Sequence, residues 1–404
     1  MPSATAPAPS TASSTTASAD GWPGGFGLYV HWPYCLSKCP YCDFNSHVAE
    51  HVDHERWRKG LLTELRHAAS QAPGRRLDSI FFGGGTPSLM DPATTAAVIA
   101  EATALWQPAE NIEITLEANP GTIDAARFAD FRAAGVNRLS LGVQSFDDAE
   151  LKFLGRAHDA ATAMRGIELA ARLFDRFSFD LIYARPGQSV ENWRAELDRA
   201  LGFGPGHISV YQLTIEPGTQ FHTRHARGEI VLPEDEIGAA MFEATAEVLE
   251  AAGLPGYEIS NHARPGEECR HNLIYWRGGD YAGIGPGAHG RLTFGGAVHA
   301  ERRHRAPAIW LERVEQDGHA TVESTAVDAA TRIEELVMTG LRLTGGIEAG
   351  LFQTLTGKAL ADALDATRLD ALREEGLVET DKAGIRATAE GRIRLNAVIG
   401  YLLG

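Results

Sequence analysis

From Gly27 onward the 404-residue chain alternates short apolar runs with longer stretches of helical period, and this alternation narrows its choice of fold more than any other feature. A strand, a helical crossover and a second strand form one βα unit, and a series of such units builds a parallel sheet. The runs Gly27 to His31, Asp78 to Phe82, Ile112 to Leu116, Arg138 to Gly142, Arg176 to Ile182 and His207 to Leu213 read as strands. Helical stretches fall near 50 to 71, 88 to 106, 122 to 134, 160 to 173 and 189 to 202, and several open on a capping residue such as Asp91, Thr122 or Ser189. Six strands predict a partial, TIM-like (β/α)6 barrel in an α/β protein. In that architecture the loops that follow the strands converge on one mouth, so the residues just after each run are the candidates for chemistry.

The rest of the chain divides around this barrel, which spans 26–253. Residues 1–25 are Ala, Ser, Thr, Pro and Gly with no charge before Asp20, and they read as a disordered tail because they offer little to bury. A Gly-rich segment with His and aromatic residues, 254–325, is expected to cover the barrel mouth. Residues 326–404 read as three helices and a β ribbon around Leu377 to Ala387, a winged-helix-like α+β domain. The formal net charge of −16 speaks against a chain that binds nucleic acid or an anionic membrane surface, and the winged-helix region has no basic recognition helix. No apolar run approaches the ~20 residues of a membrane span, and the N-terminus lacks a secretory signal. The expectation is a cytoplasmic protein that binds no nucleic acid and is not itself a membrane protein.

Four cysteines cannot form a disulfide framework, and three of them, Cys35, Cys39 and Cys42, lie on one loop just after the first strand. Three thiolates can hold three irons of a cubane [4Fe-4S] cluster and leave the fourth iron without a protein ligand. A structural zinc site completed by His31 or His47 is the competing reading, and spacing alone leaves the two nearly even. A position at the mouth of a β/α barrel favours the cluster. Tyr41, beside the third cysteine, can shield it from water. Gly83-Gly84-Gly85-Thr86-Pro87 follows the second strand, where bare backbone amides can approach a ligand closely; it lacks the endings of a phosphate loop or a dinucleotide site. Glu117 ends the third strand, where its carboxylate can accept hydrogen bonds from a ligand amine or ribose. A second cluster, Cys269-Arg270-His271-Asn272-Leu273-Ile274-Tyr275-Trp276, offers an imidazole, a guanidinium and flat apolar rings, and taken alone reads as loop packing. Cys269 itself reads as a buried, inert thiol.

The cysteine spacing, with Tyr29-Val30-His31-Trp32-Pro33-Tyr34 before it and Asp43-Phe44-Asn45-Ser46 after it, resembles the radical S-adenosylmethionine (SAM) superfamily. Within that superfamily it is similar to the oxygen-independent coproporphyrinogen III oxidase group and its HemW-type heme chaperones. The resemblance covers the chain from about Gly27 through the C-terminal domain. It implies a radical SAM barrel whose open iron is chelated by SAM. It also implies SAM contacts at Gly84, Gly85, Thr86, Glu117, Gln144, Arg156 and Asp180, with Tyr29 and Tyr41 packing on the cluster or the ligand. The His-Asn-x-x-Tyr-Trp motif makes His271 the expected heme ligand, and leaves His222, His225, His262 and His289 as unranked second ligands. The oxidases continue their cluster motif with a fourth cysteine, and here that position is Phe44. The resemblance therefore implies a heme chaperone that passes heme to membrane-associated, respiratory acceptors, and leaves a homodimer open. The oxidase reaction, decarboxylation of propionates, is the alternative.

Overall fold

The computed structural model describes residues 21–122 and 124–404. All six expected strands are present, five of them longer than expected and the last one residue shorter: β1 (Phe26–Trp32), β2 (Arg76–Gly84), β3 (Gln107–Ala118), β4 (Arg138–Gln144), β5 (Arg176–Tyr183) and β6 (His207–Gln212). They are parallel neighbours in chain order, joined by crossovers that include α1 (His54–Gln71), α2 (Pro92–Leu105), α3 (Ala125–Ala133), α4 (Ala160–Leu173) and α5 (Val190–Leu201). Alternation along each strand separates two environments. Leu28 and Val30 of β1 and Ile80 and Phe82 of β2 join Leu61 and Leu65 of α1 in the core between sheet and helices. Each such side chain contributes about 1.5–3 kcal/mol by leaving water. The intervening positions, among them Tyr29, Phe81, Glu117, Ser140, Asp180 and Ser209, turn inward and line one interior cavity. Asp91 and Ser189 cap α2 and α5 as expected. Thr122 does not cap α3, because the chain makes a 3-10 turn there and the Asp124 side chain accepts from Arg127 N instead.

The Gly-rich segment, expected as a cover over the mouth, adds strands beside both ends of the six-stranded array. After α6 (Asp235–Ala251) it supplies β7 (Asn261–Ala263), antiparallel to β6 at one sheet edge. A short helix, α7 (Arg270–Trp276), then enters the barrel, and β8 (Asp280–Ile284) pairs in parallel with β1 at the other edge. Beyond it β9 (His289–Phe294), β10 (Ala297–Arg303) and β11 (Thr321–Ala326) add antiparallel strands. The glycines make this close packing possible: a methyl on Gly283 would lie 2.0 Å from the His289 carbonyl oxygen, and one on Gly285 2.3 Å from that of His31. Between β10 and β11, α8 (Pro307–Asp317) packs on α1. Glu64 of α1, which is fully buried, accepts from Gly285 N, Trp310 Nε1 and Ala320 N and so ties this extension to the barrel.

Of the expected tail, residues 1–20 lie outside the described residues. Residues 21–25 pack on the barrel, where the Arg75 guanidinium lies 3.6 Å from the Trp22 ring centroid. An indole has apolar area to bury that the preceding Ala and Ser residues lack. The C-terminal region opens with α9 (Ala329–Gly340) and continues as helices around an antiparallel sheet of Ile347–Glu348, Gly384–Ala387 and Val378–Thr380. Its own core includes Val337, Phe352, Leu372 and Ile399. Among the described residues no helix is long and apolar enough to cross a membrane.

Candidate cofactor site

The cysteine loop leaves β1 at the C-terminal ends of the strands and is clamped at both ends. Tyr34 and Cys35 pair in parallel with His47 and Val48. Asn45 Nδ2 donates to the carbonyls of Pro286 and Arg305 at 2.9 and 2.8 Å, which ties the loop to the sheet extension. Cys35, Cys39 and Cys42 are all half-buried, whereas Cys269 is buried elsewhere. The Thr86 hydroxyl donates to Cys35 Sγ at 3.4 Å and Arg156 Nη1 to Cys39 Sγ at 3.5 Å. Burial raises the pKa of Cys35 and Cys42, and the neighbouring thiols add to this. Thiols raised by burial and mutual repulsion suit a ligand that carries positive metal charge. Of the two fourth ligands of the zinc alternative, His31 has both ring nitrogens engaged and His47 only one. His31 Nε2 bonds the Asn45 carbonyl at 3.0 Å and its Nδ1 the Tyr29 hydroxyl at 3.1 Å, while His47 Nε2 bonds Asn45 Oδ1 at 3.3 Å.

The glycine run presses against this loop. Gly84 has φ +110°, and a methyl on it would lie 2.7 Å from the His31 ring; one on Gly85 would lie 2.8 Å from the Tyr34 carbonyl oxygen. The expectation of bare amides needs correction. Gly85 N donates to the Trp32 carbonyl at 2.7 Å, Thr86 N to that of Tyr34 at 2.8 Å, and Gly84 N to Glu117 Oε2 at 3.2 Å. The segment closes on β1 because its strand neighbour offers acceptors, so a ligand ammonium would meet acceptors here and not donors.

Two carboxyl groups face the barrel interior. Burial, reinforced by Asp180, pushes Glu117 up to about 8. Burial raises Asp180 to about 6, against a Ser140 hydroxyl 3.4 Å away and the charge of Arg138. At neutral pH Glu117 therefore holds its proton while Asp180 has mostly lost its own. Arg156 pairs with no carboxylate among the described residues: Nη2 donates to the Gly142 carbonyl at 2.7 Å and Nη1 also reaches the Tyr41 hydroxyl at 3.4 Å. Its Nε is buried without a partner. Gln144 ends β4 in the left-handed region, φ 73°, a conformation that costs a non-glycine residue of order 1 kcal/mol or more and is typical of ligand sites. Tyr41 packs on Phe221, and Tyr29 lies beside Phe81 and His271, which stack on each other at 5.0 Å.

His271 stands apart from the mouth. It enters on α7 at the N-terminal ends of the strands and is 1% exposed. Its Nδ1 bonds the Ser79 hydroxyl and its Nε2 the Tyr275 hydroxyl, both at 2.8 Å, and burial lowers its pKa to about 3. The free ring nitrogen expected of a heme ligand is absent from this arrangement, because a buried imidazole must satisfy both nitrogens. Cys269 is buried as expected: burial raises it to about 12, and it donates to Glu113 Oε1 at 3.4 Å. His262 is buried in β7, while His222 and His225 are exposed on the helix Gln220–Ala226. His31, expected only as an alternative zinc ligand, props both Tyr29 and the loop, and Arg138, which the sequence did not single out, is buried beside Glu113 and Asp180. The alternation of β4 carried a signal for Arg138, since it shares the inward face with Ser140 two residues on.

Comparison with known proteins matches this geometry. The family model for the radical SAM superfamily matches residues 29–200, and that for the HemN C-terminal domain matches 327–394. The chain is 41% identical over 384 residues to the mitochondrial radical S-adenosyl methionine domain-containing protein 1 of Bos taurus, covering 93% of this chain and 87% of that one. It is 43% identical over 329 residues to the heme chaperone HemW of Escherichia coli, covering 78% and 86%. The solved structure of coproporphyrinogen III oxidase, HemN, from Escherichia coli superposes with a TM-score of 0.78 over 94% of this chain and 90% of that one, at 24% identity, which establishes a common fold. The chain belongs to the radical SAM superfamily, in the HemW group that joins the superfamily's barrel to a HemN-type C-terminal domain.

Proposed function

We propose that this protein is a heme chaperone that binds heme and delivers it to acceptor proteins, and that it carries a [4Fe-4S] cluster and SAM at the barrel mouth. The observation that carries this reading is the extended identity to HemW, with Phe44 rather than cysteine after the cluster loop. Cys35, Cys39 and Cys42 would hold the cluster, which when bound supplies an electron to the SAM sulfonium. Arg156 and Thr86 place hydrogen bonds on two of the thiols. Gly84, Gly85 and Thr86 keep the loop close to β1, and Glu117 and Asp180 present acceptors to the SAM amine or ribose. Gln144 and Tyr29 line the same side, and Tyr41 excludes water from the loop. Membrane-associated respiratory proteins are the acceptors this reading favours, with the chaperone acting from the cytoplasm.

The test is transfer. Heme-loaded protein, with its cluster reconstituted anaerobically, is mixed with an apo-acceptor, and the Soret band is followed as heme changes hands. Movement of heme without SAM-dependent loss of carbon dioxide supports the chaperone. Turnover of coproporphyrinogen III with release of 5′-deoxyadenosine would establish the oxidase instead.

A further inference from the structure

Beside the cysteine loop a cleft of about 680 Å3 runs from Tyr29, Gly84 and Glu117 out to α9 of the C-terminal domain. This is a typical volume for a small-molecule site. Its walls include apolar side chains left unpacked, with Phe44 58% and Met338 45% exposed, opposite Tyr281. β9 directs two residues of one strand face into it, His289 and Arg291. Arg291 is held by Glu335 at 2.8 Å, and Arg332 lies beside the same carboxylate at 3.5 Å, so two guanidiniums face one anion. His289 has no hydrogen bond among the described residues; burial, then Arg291 and Arg302, lower its pKa, and Glu323 opposes them weakly. Its imidazole is therefore neutral at neutral pH and keeps a lone pair available.

Resting on the heme-carrying reading above, we propose that the outer part of this cleft, beyond the SAM-side residues Tyr29, Gly84 and Glu117, is the heme seat and that His289 is the axial ligand to heme iron, with Arg291 at a propionate and Phe44 and Met338 against the macrocycle. Heme combines a Lewis-acidic iron, an apolar plane and two carboxylates, and the cleft supplies a partner for each. Other histidines fit less well. His271 and His31 have both nitrogens engaged, and His222, His225 and His262 do not line the cleft. Phe44 and Asn45 follow Cys42 by two and three residues, so the seat adjoins the cofactor loop, and its far wall is formed by α9.

Hemin titration of the full-length chain tests the proposal, with the Soret band and paramagnetic resonance as readouts. His289→Ala should bind hemin about tenfold more weakly or worse, as loss of a group supporting a metal site does, and added imidazole should restore the wild-type spectrum. His289→Cys should replace the imidazole-type spectrum by a thiolate-type one, a change that a merely structural role would not produce. Wild-type uptake with an unaltered spectrum and affinity in both variants overturns the assignment while leaving the chaperone reading intact. A wild-type chain that takes up no hemin overturns the chaperone reading, and the proposal with it.

Discussion

Burial changes the protonation of Glu117, and Glu117→Gln isolates that effect. The amide keeps the shape and can still accept from Gly84 N. In the unfolded chain the carboxyl titrates near 4.5, and in the barrel near 8. Between these values the folded chain retains a proton that the unfolded chain has released, so native stability is full below pH 4.5 and falls as pH rises toward 8. The full shift would cost up to ~3.5 kcal/mol between pH 5 and pH 8. Glu117 is partly open to the cleft, and solvent screening reduces this to about 1–2 kcal/mol. Thermal melts without SAM at pH 5.5 and pH 8 should show the Gln variant gaining about 1–3 °C on the wild type across that interval. Parallel pH profiles for the two proteins would refute the argument that burial holds this carboxyl neutral.

The same proton supplies a binding signature. At pH 7 about nine tenths of Glu117 is protonated, so binding of the SAM ammonium should release close to one proton, measured by calorimetry in buffers of differing ionisation enthalpy; the signal should vanish in Glu117→Gln. Serine at Cys35, Cys39 or Cys42 should abolish iron-sulfur absorption, since three ligands leave none in reserve, whereas Cys269→Ala should retain full iron content by chemical assay. Gly84→Ala should destabilise the fold by about 1–3 kcal/mol through its positive φ alone, with further loss from the His31 contact, seen as a lower melting temperature.

Much of the barrel was legible because alternation along a strand and helical period are local properties. Asp91 and Ser189 cap where they were expected to, and the six strands differ from expectation only at their ends. The edges were not legible. β8 pairs with β1 across some 250 residues of chain, and no local pattern encodes such a pairing. The candidate site divides in the same way. The cysteine loop, Glu117 and Asp180 sit at strand ends, where a parallel barrel gathers functional groups, whereas the setting of His271 depends on Ser79 and Tyr275 and on which end of the barrel α7 enters.

The sequence by itself determined the parallel barrel, the three-thiol loop and the loss of a fourth cysteine at Phe44, because each is written in residue type and short-range spacing. Only the tertiary structure decided which imidazole has a nitrogen to give. His271 spends both of its nitrogens on neighbours within the barrel, and His289 reaches the cleft because β9 adds to the sheet beside β8 and meets α9 from a separate domain. A ring's free lone pair is a property of its surroundings, and those surroundings come from segments that only folding brings together.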